Sequence, residues 1–391
     1  MDDTSDATWA TASPDLRPRP DSEVGWWFLQ GRVALPDKSS VHVMVAFFQV
    51  HAQDGRDRAD MLLLHALPSR PGAPPLVVSR VTPGLARMHE TIAHRLAGHV
   101  LPGPLARLIV RRHTVVMSQR ARLDGVETFD DHAEVAPIGL DIRWRDFALA
   151  DAPDGSLTLT MPVDTEGTRL TLSLRPERPW MEDHGHRLDP RNQPDYAYLC
   201  CPRLSATGSL GDQPAQGTLW MDRQWGGFEN WFFLRRRRQV RLVGWHWTGL
   251  SLDNGHDFLT WRRMVVGDRR QNDCYVVRFD DDGVAMIEGQ LEPLPAPPWI
   301  SPRSGIGYPL RHRLVLPELA GEIEIRPVID DQEIPVFGVP SIWEGAVTAR
   351  GRLEGQEVTG HGRLELYGHG YATSFGDYLR QQMRHRLRRR G

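Results

Sequence analysis

Apolar and polar residues alternate with a period of two along much of the chain. The runs VHVMVAFFQV (41–50), SLTLTM (156–161), TRLTLSL (168–174), RLVGWHWTGLSL (241–252), GEIEIRPV (321–328) and GRLELYG (362–368) are the clearest. On an extended backbone such a run sends alternate side chains to opposite faces. Turn residues separate the runs: Pro36-Asp37, Asp154-Gly155, Asp253-Asn254-Gly255 and Asp282-Gly283. Short strands punctuated in this way predict an antiparallel sandwich or barrel. One stretch has a different period. GLARMHETIAHRLAGHVLPGPLARLIVRR (84–112) spaces its apolar residues by three and four around a proline break. It predicts a short helical insertion between strands of the first half.

The two halves echo each other. GWWFLQGRVALPDKSSVHVMVAFF (25–48) and GWHWTGLSLDNGHDFLTWRRMVV (244–266) both run from Gly-Trp through a glycine and a polar turn into a hydrophobic strand. The expectation is two related β domains, at 21–205 and 206–375, with the seam near 203–212. Residues 1–20 are expected to be mobile, 289–299 to form a Pro-rich loop, and 376–391 to form a basic tail. The length of 391 residues suits two domains, and 36 Gly and 30 Pro suit many turns.

Charge narrows the partners. A net charge of -3 lacks the basic excess of a nucleic-acid binder, and Arg235 to Arg238 and the Arg-rich tail read as solvated surface. Three cysteines, Cys200, Cys201 and Cys274, make neither a disulfide framework nor a zinc-binding pair. No apolar run is long enough to span a bilayer. The N-terminal stretch MDDTSDATWATASPDLRPRP has no signal-peptide pattern. These features predict a cytoplasmic chain. The segment HETIAHRLAGH (89–99) does not make a metal site: the second histidine, His94, falls about 140° around a helix from His89. No metal or other cofactor is expected.

Candidate chemistry concentrates in GTLWMDRQWGG (217–227). On a strand, Trp220 and Asp222 share a face and Arg223 points to the other. A carboxyl held against an indole is desolvated, so its pKa should rise and it could serve as an acid near neutral pH. Trp26, Trp27, Trp220, Trp225, Trp245, Trp247 and Trp343, with His246, are expected to wall a pocket for an apolar ligand. Trp245 and Trp247 share a face, with His246 on the other; Trp26 and Phe28 share a face opposite Trp27. Tyr196 and Tyr198 also share a face. Glu333 and Glu344 are further carboxylates, and Glu344 is expected to pair with an arginine such as Arg303.

Eight segments, in order, resemble the carotenoid 1,2-hydratase (hydroxyneurosporene synthase) and AttH-like superfamily. They are GWWFLQGRV (25–33), YAYLCCPRLSATGSL (196–210), GTLWMDRQWGG (217–227), GWHWTGLSLDNG (244–255), WISPRSGIGYPL (299–310), DDQEI (330–334), IWEGAVTARG (342–351) and GHGRLELYGHG (360–370). The resemblance implies two tandem lipocalin-like antiparallel β-barrel or sandwich domains. It implies action on a hydrophobic polyene, polyketide or terpenoid without a cofactor. In the hydratases an aspartate in an aromatic-x-Asp strand protonates an alkene, which carries over to Asp222, with Trp220 standing where those enzymes have tyrosine. Tyr196 and Tyr198 lie where they place aromatic and histidine residues, and the histidine is missing here. Diels-Alderase-type cyclases also resemble this superfamily. Three readings follow, in order of expectation: cyclisation or isomerisation of a polyene, hydration of an alkene by Asp222, and carriage of a lipid or pigment. Catalytic roles are expected of Asp222, Tyr198 and Glu344.

Overall fold

In the computed structural model, residues 10–11, 14–52, 58–69, 73–97, 103–184, 197–227, 233–236, 239–265, 268–337 and 341–370 are described. They form two large antiparallel sheets, each curled around its own core. The architecture is mostly β, with two tandem lipocalin-like units and a helical insertion in the first.

The first sheet has 14 strands and the second 11 among the described residues. At the centre of the first, Arg58–Pro68, Ser40–His51, Val24–Ala34, Gln213–Gly226 and Ala197–Leu210 run side by side. Its far arm continues through Arg169–Pro176, Leu157–Pro162, Phe147–Asp151 and Asp141–Trp144. The sheet bends until the ends face each other, so that Leu62 and Leu64 share a core with Ile142, Trp144 and Phe147. Arg80 at one end donates to Asp146 at the other (3.2 Å to Oδ2). In the second sheet, Asp268–Asp280, Asp257–Val265, Gln239–Leu252, Gln356–Tyr367, Ile342–Leu353 and Gly321–Pro327 are neighbours in that order.

The burial patterns explain the different strand sequences. Arg169–Pro176 and Gly321–Pro327 alternate buried with exposed or half-buried residues, as expected where one face meets a core and the other meets water. Ser40–His51 is buried almost throughout. One of its faces lines the first core through Val41, Val43, Val45 and Phe47. The other, through Met44, Ala46 and Val50, packs in a layer shared with Trp247, Leu259, Val277 and Phe279 of the second sheet. The two sheets therefore stack face to face.

The strand Gln213–Gly226 belongs to the first sheet, between Val24–Ala34 and Ala197–Leu210. The expected seam at 203–212 falls inside a β-hairpin instead, whose two-residue loop Gly211-Asp212 joins Leu210 to Gln213. Gly211 sits there at φ 55°, left-handed backbone that glycine adopts without steric cost. The change of sheet comes after Gly226.

The helical insertion is longer than expected. It comprises α1 (Gly84–Ala97) and α2 (Gly103–Leu123), with Pro104 in the first turn of α2, where its missing N–H costs nothing. No described helix is long and apolar enough to cross a membrane. From α1, Leu85 and Met88 join the layer between the sheets, and His89 meets Phe337 edge-on at 6.1 Å. His94 lies 3.5 Å from Glu90. The N-terminal expectation fails for residues 14–20, because Leu16 is buried in the first core and its carbonyl accepts from Trp27 Nε1 at 2.9 Å. Of the expected basic tail, 376–391 lies outside the described residues.

Charged contacts tie the two units together, from Arg178 to Asp281 and from Arg203 to Asp257. A bulge between Cys201 and Leu204 breaks the register with the neighbouring strand. Arg203, within it, makes a two-pronged contact with Asp257 of the second sheet, 3.0 Å from Nε and 2.8 Å from Nη2. Asp257 is fully buried. Arg203→Leu leaves that buried carboxylate with only the more distant Arg178 cation, its Nε 3.9 Å away, and is expected to cost about 3 kcal/mol in urea unfolding. Asp257→Asn added to Arg203→Leu should recover a measurable part of the loss.

Candidate functional site

Among the described residues, the layer between the sheets holds a group of buried ionisable side chains, Asp222, Glu344 and Arg363 among them. Strand periodicity delivers them. On Gln213–Gly226, Leu219 and Met221 enter the first core while Trp220 turns to the second sheet, and Asp222 follows it at the next position on the same face. Pairing places Asp222 opposite Cys200 on one side and Phe28 on the other. From the second sheet, Trp247 pairs with Glu365, and Glu365 with Glu344. The Trp220 and Trp247 rings meet edge-to-face at 5.8 Å, and Phe28 and Phe279 complete the aromatic group at 5.5 and 5.9 Å. Gly249 leaves room for this arrangement: a Cβ there would fall 2.7 Å from the Trp247 ring and 3.1 Å from the Trp220 ring.

Asp222 is 3% exposed. Its Oδ1 accepts from Trp220 Nε1 at 2.6 Å and from Tyr198 Oη at 3.0 Å. Burial pushes the carboxyl up to about 8, against those two hydrogen bonds, with a further upward push from Glu365. At pH 7 it is mostly protonated. Glu365 accepts from Trp245 Nε1 at 2.8 Å. Burial raises it to about 7, against Trp245 and Arg363. Glu344 stands well above the ordinary carboxylate value, through burial first and Glu365 next. Arg363 Nη1 donates to the Glu344 carbonyl at 2.6 Å, while its Nε is 4.0 Å from Glu344 Oε1. Burial lowers Arg363 to about 10, which leaves it cationic. Asp222 and Trp247 are buried, whereas Glu365, Trp245, Trp26 and Phe48 keep partial exposure. Solvent therefore reaches the group from the Trp245 side.

Of the residues singled out in the sequence, Asp222, Tyr198, Glu344, Trp220, Trp245 and Trp247 meet in this layer, with Trp26 at its margin against Phe48 (5.6 Å). Others lie elsewhere. Trp27 faces the first core, where the Arg223 guanidinium covers its ring at 4.0 Å. Trp225 is on the same side, 4.9 Å from Arg223. Arg223 does not pair with Asp222, because the pleat sends the two to opposite faces. It donates to the carbonyls of Arg17 (3.0 Å), Trp26 and Gln224 instead. Trp343 faces the second core and donates to the Asp330 carbonyl at 2.7 Å. Tyr196 lies outside the described residues.

His246 also faces the second core, one position out of phase with Trp245 and Trp247. It bridges His369 and His312, at 2.9 Å through Nε2 and 3.0 Å through Nδ1. Burial lowers all three, to about 4 for His369 and about 3 for His312, so the chain of rings is neutral at pH 7. One ion cannot take both nitrogens of His246. Among the described residues no group of three or more His, Cys, Asp or Glu is arranged to hold a metal. Glu333 accepts from Ser301, Ser304 and Tyr308 and braces a loop. Arg303 donates to the Glu333 carbonyl, and the arginine beside Glu344 is Arg363.

Arg363 and Glu365 were not singled out in the sequence. In GRLELYG, charges alternating with leucine read as a water-facing side. Only the second sheet's position over the first buries them.

The family model for AttH-like proteins matches residues 104–371. The chain belongs to the AttH-like family. Its sequence is 24% identical to kievitone hydratase of Fusarium solani subsp. phaseoli over 177 residues, 42% of this chain and 47% of that protein. The AttH-like chain thus matches about half the length of this relative. Among solved structures, a putative AttH from Nitrosomonas europaea superposes with a TM-score of 0.63 at 19% identity, covering 94% of this chain and 99% of that one. Kievitone hydratase from Nectria haematococca superposes with a TM-score of 0.55 at 14% identity, covering 89% and 90%. These superpositions establish the shared fold.

A raised carboxyl has a consequence for stability. Between about pH 4 and about pH 8 the folded protein keeps an Asp222 proton that the unfolded chain has lost, so Asp222 makes stability decline as pH rises through that window. Asp222→Asn keeps an acceptor for Trp220 and Tyr198 and has no charge to bury. Its thermal midpoint should fall less steeply than the wild type's between pH 5 and 9, and should exceed it at pH 9. Parallel curves would contradict the raised pKa.

Proposed function

We propose that this AttH-like protein is a cofactor-independent hydratase of a carbon–carbon double bond in a hydrophobic small molecule. The observation that carries the reading is the Asp222 carboxyl, buried among aromatic rings with both Trp220 and Tyr198 donating to one of its oxygens. Those donors orient the group and leave the other oxygen to bear the proton. The sequence similarity to a kievitone hydratase points the same way.

In this mechanism Asp222 transfers its proton to one alkene carbon. A C–H bond forms from the π electrons, and positive charge develops on the other carbon. The faces of Trp220 and Trp247 stabilise that charge. Water attacks the cation, and the proton it releases passes to the Glu365 carboxylate, on the side that solvent reaches. Tyr198 orients Asp222 and steadies the carboxylate left after transfer. Glu365 then gives its proton to solvent, and Asp222 takes one back. Water adds across the double bond with no other co-reactant. Cyclisation, the first expectation from the sequence, needs shape and a polarising hydrogen bond, which a protonated carboxyl can also donate; the sequence similarity to a kievitone hydratase is what favours hydration.

The test compares metabolites by mass spectrometry in cells with the gene intact, deleted, or carrying Asp222→Asn. Deletion should accumulate an unsaturated precursor and remove a product heavier by one water. Asp222→Asn should do the same, with at least about a 100-fold loss of turnover in the folded purified protein. A product of unchanged mass would replace hydration by cyclisation or isomerisation, and unchanged profiles would favour a carrier. With the accumulated precursor as substrate, rate should depend on pH as a bell. It falls below about pH 7 as Glu365 takes up a proton and above about pH 8 as Asp222 loses one.

A further inference from the structure

We propose that the outer face of α2 is a membrane-surface anchor, which lays an apolar ridge into the headgroup boundary of an anionic bilayer. It brings the protein to the phase that holds hydrophobic ligands. The surface is independent of the reaction at Asp222: it serves equally a pocket that hydrates, cyclises or carries.

Composition sets α2 apart. Its sequence, GPLARLIVRRHTVVMSQRARL, has five arginines and no aspartate or glutamate, on a chain whose net charge is -3. An α-helix turns by about 100° per residue, so Leu108 and Val115 stand about 20° apart, two turns along one line. Leu108 is 66% exposed and Val115 51%. Arg111 and Arg122 lie about 60° and 40° to one side of Leu108, and Arg112 about 40° to the other. Arg107, Arg111, Arg112 and Arg122 are all exposed. Among the described residues no carboxylate pairs with any of these four. Leu123, 49% exposed, extends the apolar line to the end of the helix.

The other side of α2 is already occupied. Ala121, about 140° around the helix from Leu108, is buried in the layer between the sheets. α1 packs along α2 and sends Leu85 and Met88 into the same layer. The helix is thus held from behind, with its ridge and arginines turned outward. A single exposed leucine is ordinary on any protein. Apolar side chains lined up on one helix face and flanked by arginines mark an interaction surface.

Charge and shape select the partner, which must be anionic at the rim and apolar beneath. A nucleic-acid backbone satisfies the arginines but leaves Leu108 and Val115 against phosphate. A second copy of α2 sets arginine against arginine. An anionic bilayer supplies both chemistries in one boundary, and a convex ridge needs no matching groove there. Arginine stems lie along the acyl boundary while their guanidinium groups reach the lipid phosphates.

Cosedimentation with lipid vesicles tests the anchor. The protein should bind mixed phosphatidylglycerol–phosphatidylcholine vesicles at least about 20-fold more tightly than pure phosphatidylcholine vesicles, since each basic side chain near an anionic bilayer is worth roughly fivefold. Added salt should weaken the binding. On the anionic vesicles, Arg111→Gln/Arg112→Gln/Arg122→Gln should lose at least about 20-fold. Leu108→Ser/Val115→Ser should lose at least about fivefold. All five positions are exposed, so both variants should unfold at the wild-type temperature. Equal binding to the two kinds of vesicle, or none to either, overturns the proposal. So does a preference that survives in the folded arginine variant, because it would then arise elsewhere in the chain. Unchanged vesicle binding by the serine variant also overturns it, and equal affinity for duplex RNA would then identify a general polyanion surface. A dimer that the serine variant dissociates, with no vesicle binding, makes the partner a second copy of the chain instead.

Discussion

Two curled sheets pressed face to face share one apolar layer, and the other features follow from that contact. Each sheet fills its own interior, through Phe47, Trp144 and Leu172 in the first and Phe258, Leu314 and Trp343 in the second. The outer faces of the central strands would then meet water. Instead Phe28, Met44 and Trp220 cover Trp247, Leu259 and Phe279. Each buried side chain of that size contributes about 1.5–3 kcal/mol, so the layer is large enough to hold the halves in one arrangement. It also fixes which strands must be apolar on both faces.

The same burial creates the chemistry. A carboxyl in water has no reason to hold its proton at neutral pH. Asp222 does so because the second sheet removes its solvent and sets no cation in contact, while its own sheet supplies only the neutral donors Trp220 and Tyr198. Glu365 lies nearer the open edge and is raised less, to about 7. Two carboxyls on opposing sheets thus differ in readiness to give and take a proton: burial raises both, and the Arg363 cation holds Glu365 down where Asp222 has no such neighbour. Pairs of titratable groups divided by environment in this way are the usual basis of acid–base work. Arg363 beside Glu344 keeps the cluster from becoming purely acidic.

Face assignment separates the residues that meet at this site from those that do not. Trp26, Trp245 and Trp247 stand one position from Trp27 and His246, yet the pleat sends neighbours to opposite sides. Trp27 braces Arg223 and Leu16, and His246 joins a neutral chain of imidazoles. Composition treats these aromatic and imidazole side chains as equivalent, and a pocket drawn from composition alone mixes three separate interiors.

The sequence by itself determined the strand-rich architecture, its division into two units and the side-by-side placement of Trp220 and Asp222. Period-two alternation and turn residues are local properties, and two residues apart on a strand means the same face in any sheet. The family motifs added the order of the units. What lay beyond the sequence depended on contacts between distant segments. The Gly211-Asp212 turn has the chemistry of a hairpin and of a linker, and only the pairing of Gln213–Gly226 with Val24–Ala34 distinguished them. Likewise Arg363 and Glu365 alternate with leucine as residues on a wet face would. The tertiary structure alone made them buried, because solvent exclusion belongs to the second surface that arrives and not to the strand that carries the charge.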